Sequence, residues 1–336
     1  MSAEGGQIKL FFREAIARAV REAMLADPRV IVMGQDVGEF GGAYKEFLGL
    51  HAQFGAARVR DTPVAEASMV AVGAGAAAAG LRPLVSITYM DFLMLGLDAL
   101  VNYAAKARFK TAGRITAPLV LKTTAGAKGQ GVAHSQCLEA WLMGVPGLTV
   151  VAPATAADAY GLLKSALTRD GPVVFVDHKR LFPTSGEVPI AAAATPIGRA
   201  AVRRQGRHAT IVSHGFMVRV ALEAAERLAT RGIDCEVVDL RSLAPLDIAT
   251  VAGSVARTGA LVTLEEGQLS CGVGAEVAAR LHEALGPVRV TRVGALAAPV
   301  SSNPVLEAAC IPDAAGVVAA VEHLLAGTPR RRPDDL

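Results

Sequence analysis

The sequence predicts an α/β protein of two domains, each with a mostly parallel sheet covered by helices. Three observations predict it. Short β-branched apolar runs alternate with longer stretches of helical periodicity along most of the chain, the pattern of parallel strands joined by crossover helices. A chain of 336 residues is long enough for two domains with full cores. The alternation is interrupted once, at 183–196, where Pro183, Pro189 and Pro196 punctuate a stretch with few apolar residues in register. The expected boundaries are therefore 8–182, a linker at 183–196, and 197–327.

Each element has its own signal. Phe12, Ile16, Val20 and Met24 recur every fourth residue and predict a first helix, ended by Asp27-Pro28. Val30–Met33 reads as a buried strand. Residues 38–55 are Gly-rich and predict a loop with one helical turn at most. Val64–Ala79 reads as a helix of small residues, Leu84–Thr88 as a strand, and 93–110 as helical. A strand at Leu119–Lys122 leads into a Gly-rich loop at 124–133, followed by a helix from Ser135. After a strand at Leu148–Val151, Thr155 and Asp158 form a capping signal for a helix reaching about Thr168. Val173–Val176 closes the first domain. In the second, strands are expected at 209–213, 235–239, 260–264 and 288–293, with helices at 216–231, 246–257 and 273–285.

Composition narrows the function classes. Hydrophobic residues make up 52% and charged residues 19%, which excludes a disordered chain. The net charge is +3 and no basic stripe carries interleaved aromatics, so nucleic acid is not an expected partner. The basic run Arg330–Arg332 reads as a solvated tail. No continuous apolar stretch suits a membrane span or a secretory signal, so a soluble cytoplasmic protein is the simplest expectation. Cys137, Cys235, Cys271 and Cys310 are far apart, lack metal spacing, and read as reduced thiols. The Ala/Gly run at 70–80 and a mean hydropathy of +0.38 predict a large subunit interface.

Gly73, Gly75 and Ala78 match a dinucleotide-binding fingerprint, which would make the chain an NAD-binding oxidoreductase. The fingerprint needs a strand before it and a helix after it. Here it falls inside the helix that begins near Val64, so close helix packing is the better reading.

Several other segments carry chemistry through their order and spacing. These are Asp61-Thr62-Pro63-Val64-Ala65-Glu66, Gly80-Leu81-Arg82-Pro83, Asp91-Phe92, and Asp98 with Asn102-Tyr103-Ala104-Ala105-Lys106. His134-Ser135-Gln136, Pro146-Gly147-Leu148 and Pro153 follow, then Val262-Thr263-Leu264-Glu265-Glu266-Gly267 and Gly272-Val273-Gly274-Ala275-Glu276. Together they resemble the beta subunits of thiamine-diphosphate-dependent 2-oxo acid dehydrogenases and of acetoin dehydrogenase, over about residues 8–325. Asp177-His178-Lys179-Arg180-Leu181 and Gly186-Glu187-Val188-Pro189 look closest to the acetoin branch. The resemblance implies a pyrimidine-binding domain followed by a transketolase C-terminal-like domain. It also implies an α2β2 heterotetramer with beta–beta contact, feeding a lipoyl-bearing acyltransferase core. The substrate would be pyruvate, a branched-chain 2-oxo acid or acetoin.

By the same resemblance, Glu66 would hydrogen-bond the cofactor's pyrimidine ring and promote its imino tautomer. On the residues alone, Glu66 reads better as a first-turn carboxylate favoured by the helix dipole, and it is the preceding Asp61-Thr62-Pro63 that favours the functional role. His134 would lie in the active-site channel and act by hydrogen bonding and proton transfer; His51, His178, His208, His214, His282 and His323 lack its setting, with His178 and His208 read as exposed. Phe92 would pack on the aminopyrimidine, or else be plain core. Relatives commonly carry a polar Gln near this helix start, where this chain has Met94-Leu95-Gly96. Mammalian pyruvate-type members hold a structural potassium ion; the matching carbonyls would be those of Leu119, Ala166, Leu167, Arg169 and Gly171, with Arg169 in place of an Asp. Glu265 and Glu266 would face a channel or an interface, or form a solvated strand end. Ser301-Ser302 stand where many relatives carry Pro and an aromatic.

Thiamine enzymes hold Mg²⁺ and diphosphate through a Gly-Asp-Gly motif, which this sequence lacks. The Mg²⁺ ligands would therefore come from a separate alpha chain. A non-oxidative transketolase-like half-subunit and a non-catalytic assembly subunit are the competing expectations.

Overall fold

The computed structural model describes residues 6–191 and 193–327; the run Arg330–Arg332 lies outside them. The chain divides into two compact units. One takes in the residues up to Lys128, Ala133–Ile197 and Leu243–Pro245, and the other Gly129–Val132, Gly198–Ser242 and the residues from Leu246.

The first unit begins with β1 (Gln7–Phe11) and α1 (Phe12–Ala26), whose Phe12, Ile16, Val20 and Met24 are at most 2% exposed. At roughly 1.5–3 kcal/mol for each large side chain removed from water, that stripe secures the helix. There follow β2 (Val30–Gly34), α2 (Leu50–Phe54), β3 (Val59–Asp61), α3 (Glu66–Ala78) and β4 (Arg82–Ile87). After an irregular helical stretch come α4 (Ala107–Lys110), β5 (Val120–Ala125), α5 (Glu139–Met143), β6 (Thr149–Val151), α6 (Ala156–Thr168), β7 (Val173–His178) and β8 (Ser185–Pro189). The sheet runs β6-β7-β5-β4-β2-β3, parallel at every one of these pairings. β2, β5 and β7 are buried along their whole length, as a sheet covered on both faces requires. Thr155 caps α6 by accepting from Asp158 N at 3.1 Å.

The second unit holds β9 (Ala201–Arg204), β10 (Ala209–Ser213), α7 (Met217–Ala229) and β11 (Cys235–Asp239). β12 (Ser242–Ala244) belongs mainly with the first unit, where it lies beside β6. Next come α8 (Ile248–Thr258), β13 (Ala260–Gln268), α9 (Val273–Leu285), β14 (Arg289–Ala295), α10 (Pro304–Cys310) and α11 (Ala314–Ala326). The sheet order is β14-β13-β10-β11-β9, parallel except for the antiparallel edge strand β9. Both units are thus α/β with parallel-rich sheets, as the sequence predicts. Pro304–Ala326 is apolar enough to pass for a membrane span by composition, but Pro312 splits it into α10 and α11, and Val317, Val318, Ala320 and Val321 are buried.

Three expectations need correction. The segment read as linker contains β8, which pairs antiparallel with β1 from Gln7↔Pro189 to Phe11↔Ser185. The segment 93–110 is not one helix: a 3₁₀ stretch at Met90–Gly96 gives way to a wider turn in which Ala105 N donates to Leu100 O at 2.9 Å. The cause is close packing, since a Cβ on Gly96 would stand 2.5 Å from Val70 Cγ2 and 3.4 Å from Glu66 O. Finally, the helix expected from Ser135 starts only at Glu139, because Gln136 N donates to Asp91 Oδ1 at 3.3 Å and Leu138 N to the Met90 sulfur at 3.3 Å.

Candidate active site

In open parallel sheets, ligands bind in the crevice beyond the carboxyl ends of the strands. The three side chains expected to do chemistry all follow such ends in the first unit: Glu66 after β3, Phe92 after β4, and His134 after β5. β4 and β5 are neighbours, and β2 separates β4 from β3.

The turn that delivers Glu66 is held mechanically. Gly38 N donates to Asp61 Oδ1 at 2.7 Å, and a Cβ on Gly38 would fall 2.3 Å from Asp61 Oδ2. Thr62 N donates to Gly34 O at 3.0 Å. Glu66 then opens α3, where the N-terminal end of the helix dipole favours a carboxylate. It is half-buried, and among the described residues its side chain has no hydrogen-bond or ion-pair partner. That leaves an acceptor available to a ligand.

Phe92 and His134 meet. Their ring centroids are 5.4 Å apart, edge to face, and Tyr89 packs edge-on against the imidazole at 4.6 Å. Asp91, 5% exposed, accepts from Gln136 Nε2 at 3.0 Å and so ties the start of the Phe92 segment to the loop after His134. Its Oδ2 is buried without a partner, as are Thr62 Oγ1 and Ser135 Oγ. An unpartnered half-buried carboxylate, an aromatic ring and orphaned polar atoms are the kinds of group that suit an aminopyrimidine-bearing cofactor, which offers ring donors, ring acceptors and a flat face.

The sequence reading did not find the charges behind this surface. Lys122 on β5 is fully buried, 2.9 Å from both Glu46 Oε1 and Asp177 Oδ2. Burial drives the Asp177 carboxyl above the usual range, opposed by Lys122, while the two carboxylates outweigh burial and raise Lys122. Lys179, also fully buried, donates to Gly126 O at 2.6 Å and to His134 O. The signal that could have found these residues is a lysine inside or directly after an apolar strand. His178, expected to be exposed, is buried at the end of β7, where its Nδ1 accepts from Arg180 N at 3.1 Å.

The remaining predicted positions lie apart from this cluster in the chemistry they can do. Leu119 O accepts from Val173 N at 2.8 Å and Ala166 O from Arg169 N at 3.2 Å. The Arg82 guanidinium donates to Leu167 O at 3.4 Å and to Arg169 O at 3.0 Å. The chain's own cation therefore lies against two of the five carbonyls expected to bind potassium, a neighbour that opposes a second cation there. Among the described residues, no group of three or more His, Cys, Asp and Glu side chains is placed to hold a metal.

In the second unit, Glu265 and Glu266 are 3% and 6% exposed, so they are not a solvated pair. Glu265 accepts from Val273 N and Gly274 N, both at 2.9 Å, and starts α9. Ser301 Oγ accepts from Asn303 N at 3.1 Å, and Asn303 in turn caps α10. The fingerprint-like Gly73 sits within α3, facing Val85, whose Cγ2 would be 2.5 Å from an added Cβ.

Comparison with known proteins fits this arrangement. Residues 9–184 match the transketolase pyrimidine-binding domain, and residues 198–317 the transketolase C-terminal domain. The chain is 46% identical to the pyruvate dehydrogenase E1 component subunit beta-1 of Arabidopsis thaliana, over 83% of this chain and 78% of that protein. It is 42% identical to the corresponding subunit of Rhizobium meliloti, over 92% and 68%, and 40% identical to that of Ascaris suum, over 95% and 91%. A solved split-gene transketolase, described as an inactive beta4 tetramer, superposes with a TM-score of 0.78 at 28% identity, over 94% of this chain and 98% of that one.

Proposed function

The chain belongs to the family of pyruvate dehydrogenase E1 component beta subunits, and from that premise we propose that it is the catalytic beta half of a thiamine-diphosphate-dependent complex that oxidatively decarboxylates a 2-oxo acid and passes the acyl group to lipoyl. The observation that supports this reading is that Glu66, Phe92 and His134 each follow a strand end of one parallel sheet, with the imidazole against the Phe92 ring.

Thiamine diphosphate, when bound, supplies the carbanion-stabilising chemistry. This chain's part is placement and protons. The Glu66 carboxyl holds a proton at the pyrimidine ring nitrogen, Phe92 offers a face that fixes the ring within reach of Glu66, and His134 donates to or accepts from the substrate oxygen. A separate alpha chain supplies the diphosphate and Mg²⁺ ligands, consistent with the absence of Gly-Asp-Gly here. An apolar groove of about 590 Å³ along α3, lined by Ala71, Ala74, Gly75, Tyr103 and Ala107 among others, supports burial of this face against another subunit. Pyruvate, branched-chain 2-oxo acids and acetoin are the candidate substrates.

The test is Glu66→Gln in the complex reconstituted with the alpha chain: cofactor binding is retained and turnover falls about 10²–10⁴-fold. Near-wild-type turnover would reject the assignment. The resemblance to the split-gene transketolase favours one second reading, a non-oxidative transferase half. Acyl transfer to a lipoyl acceptor in a 2-oxo acid and acetoin screen separates the two.

A further inference from the structure

From the contacts of its buried ammonium, we infer that Lys179 is a positioning residue that sets the catalytic geometry of His134. The inference rests on the reading of His134 above. Lys179 follows β7 directly and is 0% exposed. Its Nζ donates to Gly126 O at 2.6 Å and to His134 O. Those carbonyls stand at the two ends of the Gly-rich loop that leaves β5, so one side chain closes the loop like a staple. The same ammonium lies 5.0 Å from the centroid of the Tyr89 ring, and that ring meets the His134 imidazole at 4.6 Å. Lys179 therefore holds the histidine twice, through its backbone carbonyl and through the ring its side chain packs on.

Both anchors are rigid. Lys179 N donates to Ala125 O at 3.3 Å, which ties β7 to β5 just below the staple. Gly126 has φ +90, and a Cβ there would overlap the His178 ring, 1.7 Å from Nε2. The loop origin thus has room only for glycine, and at the far end the ammonium holds the His134 carbonyl while Gln136 is tied to Asp91. Charge-assisted hydrogen bonds in a buried setting are strong and directional. Displacing a proton-transfer group by about 1 Å costs on the order of 10²-fold in rate.

A purely structural lysine would lower the stability and yield of the complex without acting through His134. A double-mutant cycle in the reconstituted alpha–beta complex distinguishes the two. Lys179→Met, His134→Ala and the double variant are compared for kcat, for KM of the 2-oxo acid, and for thiamine diphosphate affinity. Lys179→Met is expected to lower kcat about 10–100-fold, with KM and cofactor affinity changed less than threefold. The double variant should be no slower than His134→Ala alone. Multiplicative losses in the double variant, or wild-type kcat in Lys179→Met, overturn the inference. If Lys179→Met does not assemble, Lys179→Arg, which keeps the charge but displaces its donors, takes its place in the same cycle with the same criteria. Failure of the His134 reading shows up separately, as full turnover in His134→Ala regardless of residue 179.

Discussion

Two carboxylates of this chain occupy equivalent topological places with opposite chemical situations. Glu66 follows a parallel strand of the first unit and opens α3; Glu265 lies on a parallel strand of the second unit and meets the start of α9. Both feel the positive end of a helix dipole. Glu265 spends its two oxygens on Val273 N and Gly274 N and is 3% exposed, whereas Glu66 is half-buried and has no partner among the described residues. The fold consumes one carboxylate and leaves the other available. What separates the structural acid from the one proposed to be functional is the state of its acceptors, not its position in the topology.

The largest expected effect strikes the available acid. Glu66→Gln should cost about 10²–10⁴-fold in turnover, while urea unfolding of the chain shifts by only about 0.5 kcal/mol. A comparable loss in both measurements would erase the contrast. Next in size is the buried triad beside the site. Lys122→Met leaves Glu46 and Asp177 without their shared cation at 2.9 Å and should destabilise the chain by roughly 3–5 kcal/mol in chemical denaturation. Glu265→Ala frees two helix N–H groups and should cost roughly 2 kcal/mol, with kcat near wild type at temperatures well below unfolding. A selective kcat defect would return Glu265 to the functional side.

The smallest effect is a pH slope. Burial pushes the Glu265 carboxyl up to about 7, against the pull of the Gly274 and Val273 N–H groups and of Arg292. A folded value above the unfolded one means that the folded state binds more protons between about 4.5 and 7. Stability from this group is therefore greatest below the unfolded value and declines as pH rises through that window, by about 1 kcal/mol between pH 5 and 6. Glu265→Gln should flatten that part of the profile; an unchanged slope would assign it to other groups.

The same contrast explains what was legible in the sequence. Elements with local punctuation could be read directly: α9 is bracketed by Gly272 and Gly286, and Asp27 ends α1. Elements defined by distant partners could not. β1 and β8 exist because residues 7–11 and 185–189 pair with each other; the alternation of Gln7-Ile8-Lys9-Leu10 is too short to announce a strand by itself, and Ser185–Pro189 shows none. The break in the 90–110 helix comes from Val70 pressing on Gly96, a contact with no local signature. At the site, Glu66 and His134 stand out because they sit in spaced motifs. Lys179 and Lys122 act through carbonyls and carboxylates that become neighbours only when strands 5 and 7 align, with Lys122 opposite Phe175 and Ala125 opposite His178.

The ribbon formed by β1 and β8 has a consequence for how the chain is made. Its first strand, with Ile8, Leu10 and Phe11, emerges from the ribosome long before Pro189, the partner of Gln7. At roughly 5–20 residues per second the wait is on the order of ten to thirty-five seconds. Throughout that interval an apolar edge stands without its mate. Lys9, in the middle of it, places a charge where a nascent neighbour would otherwise attach.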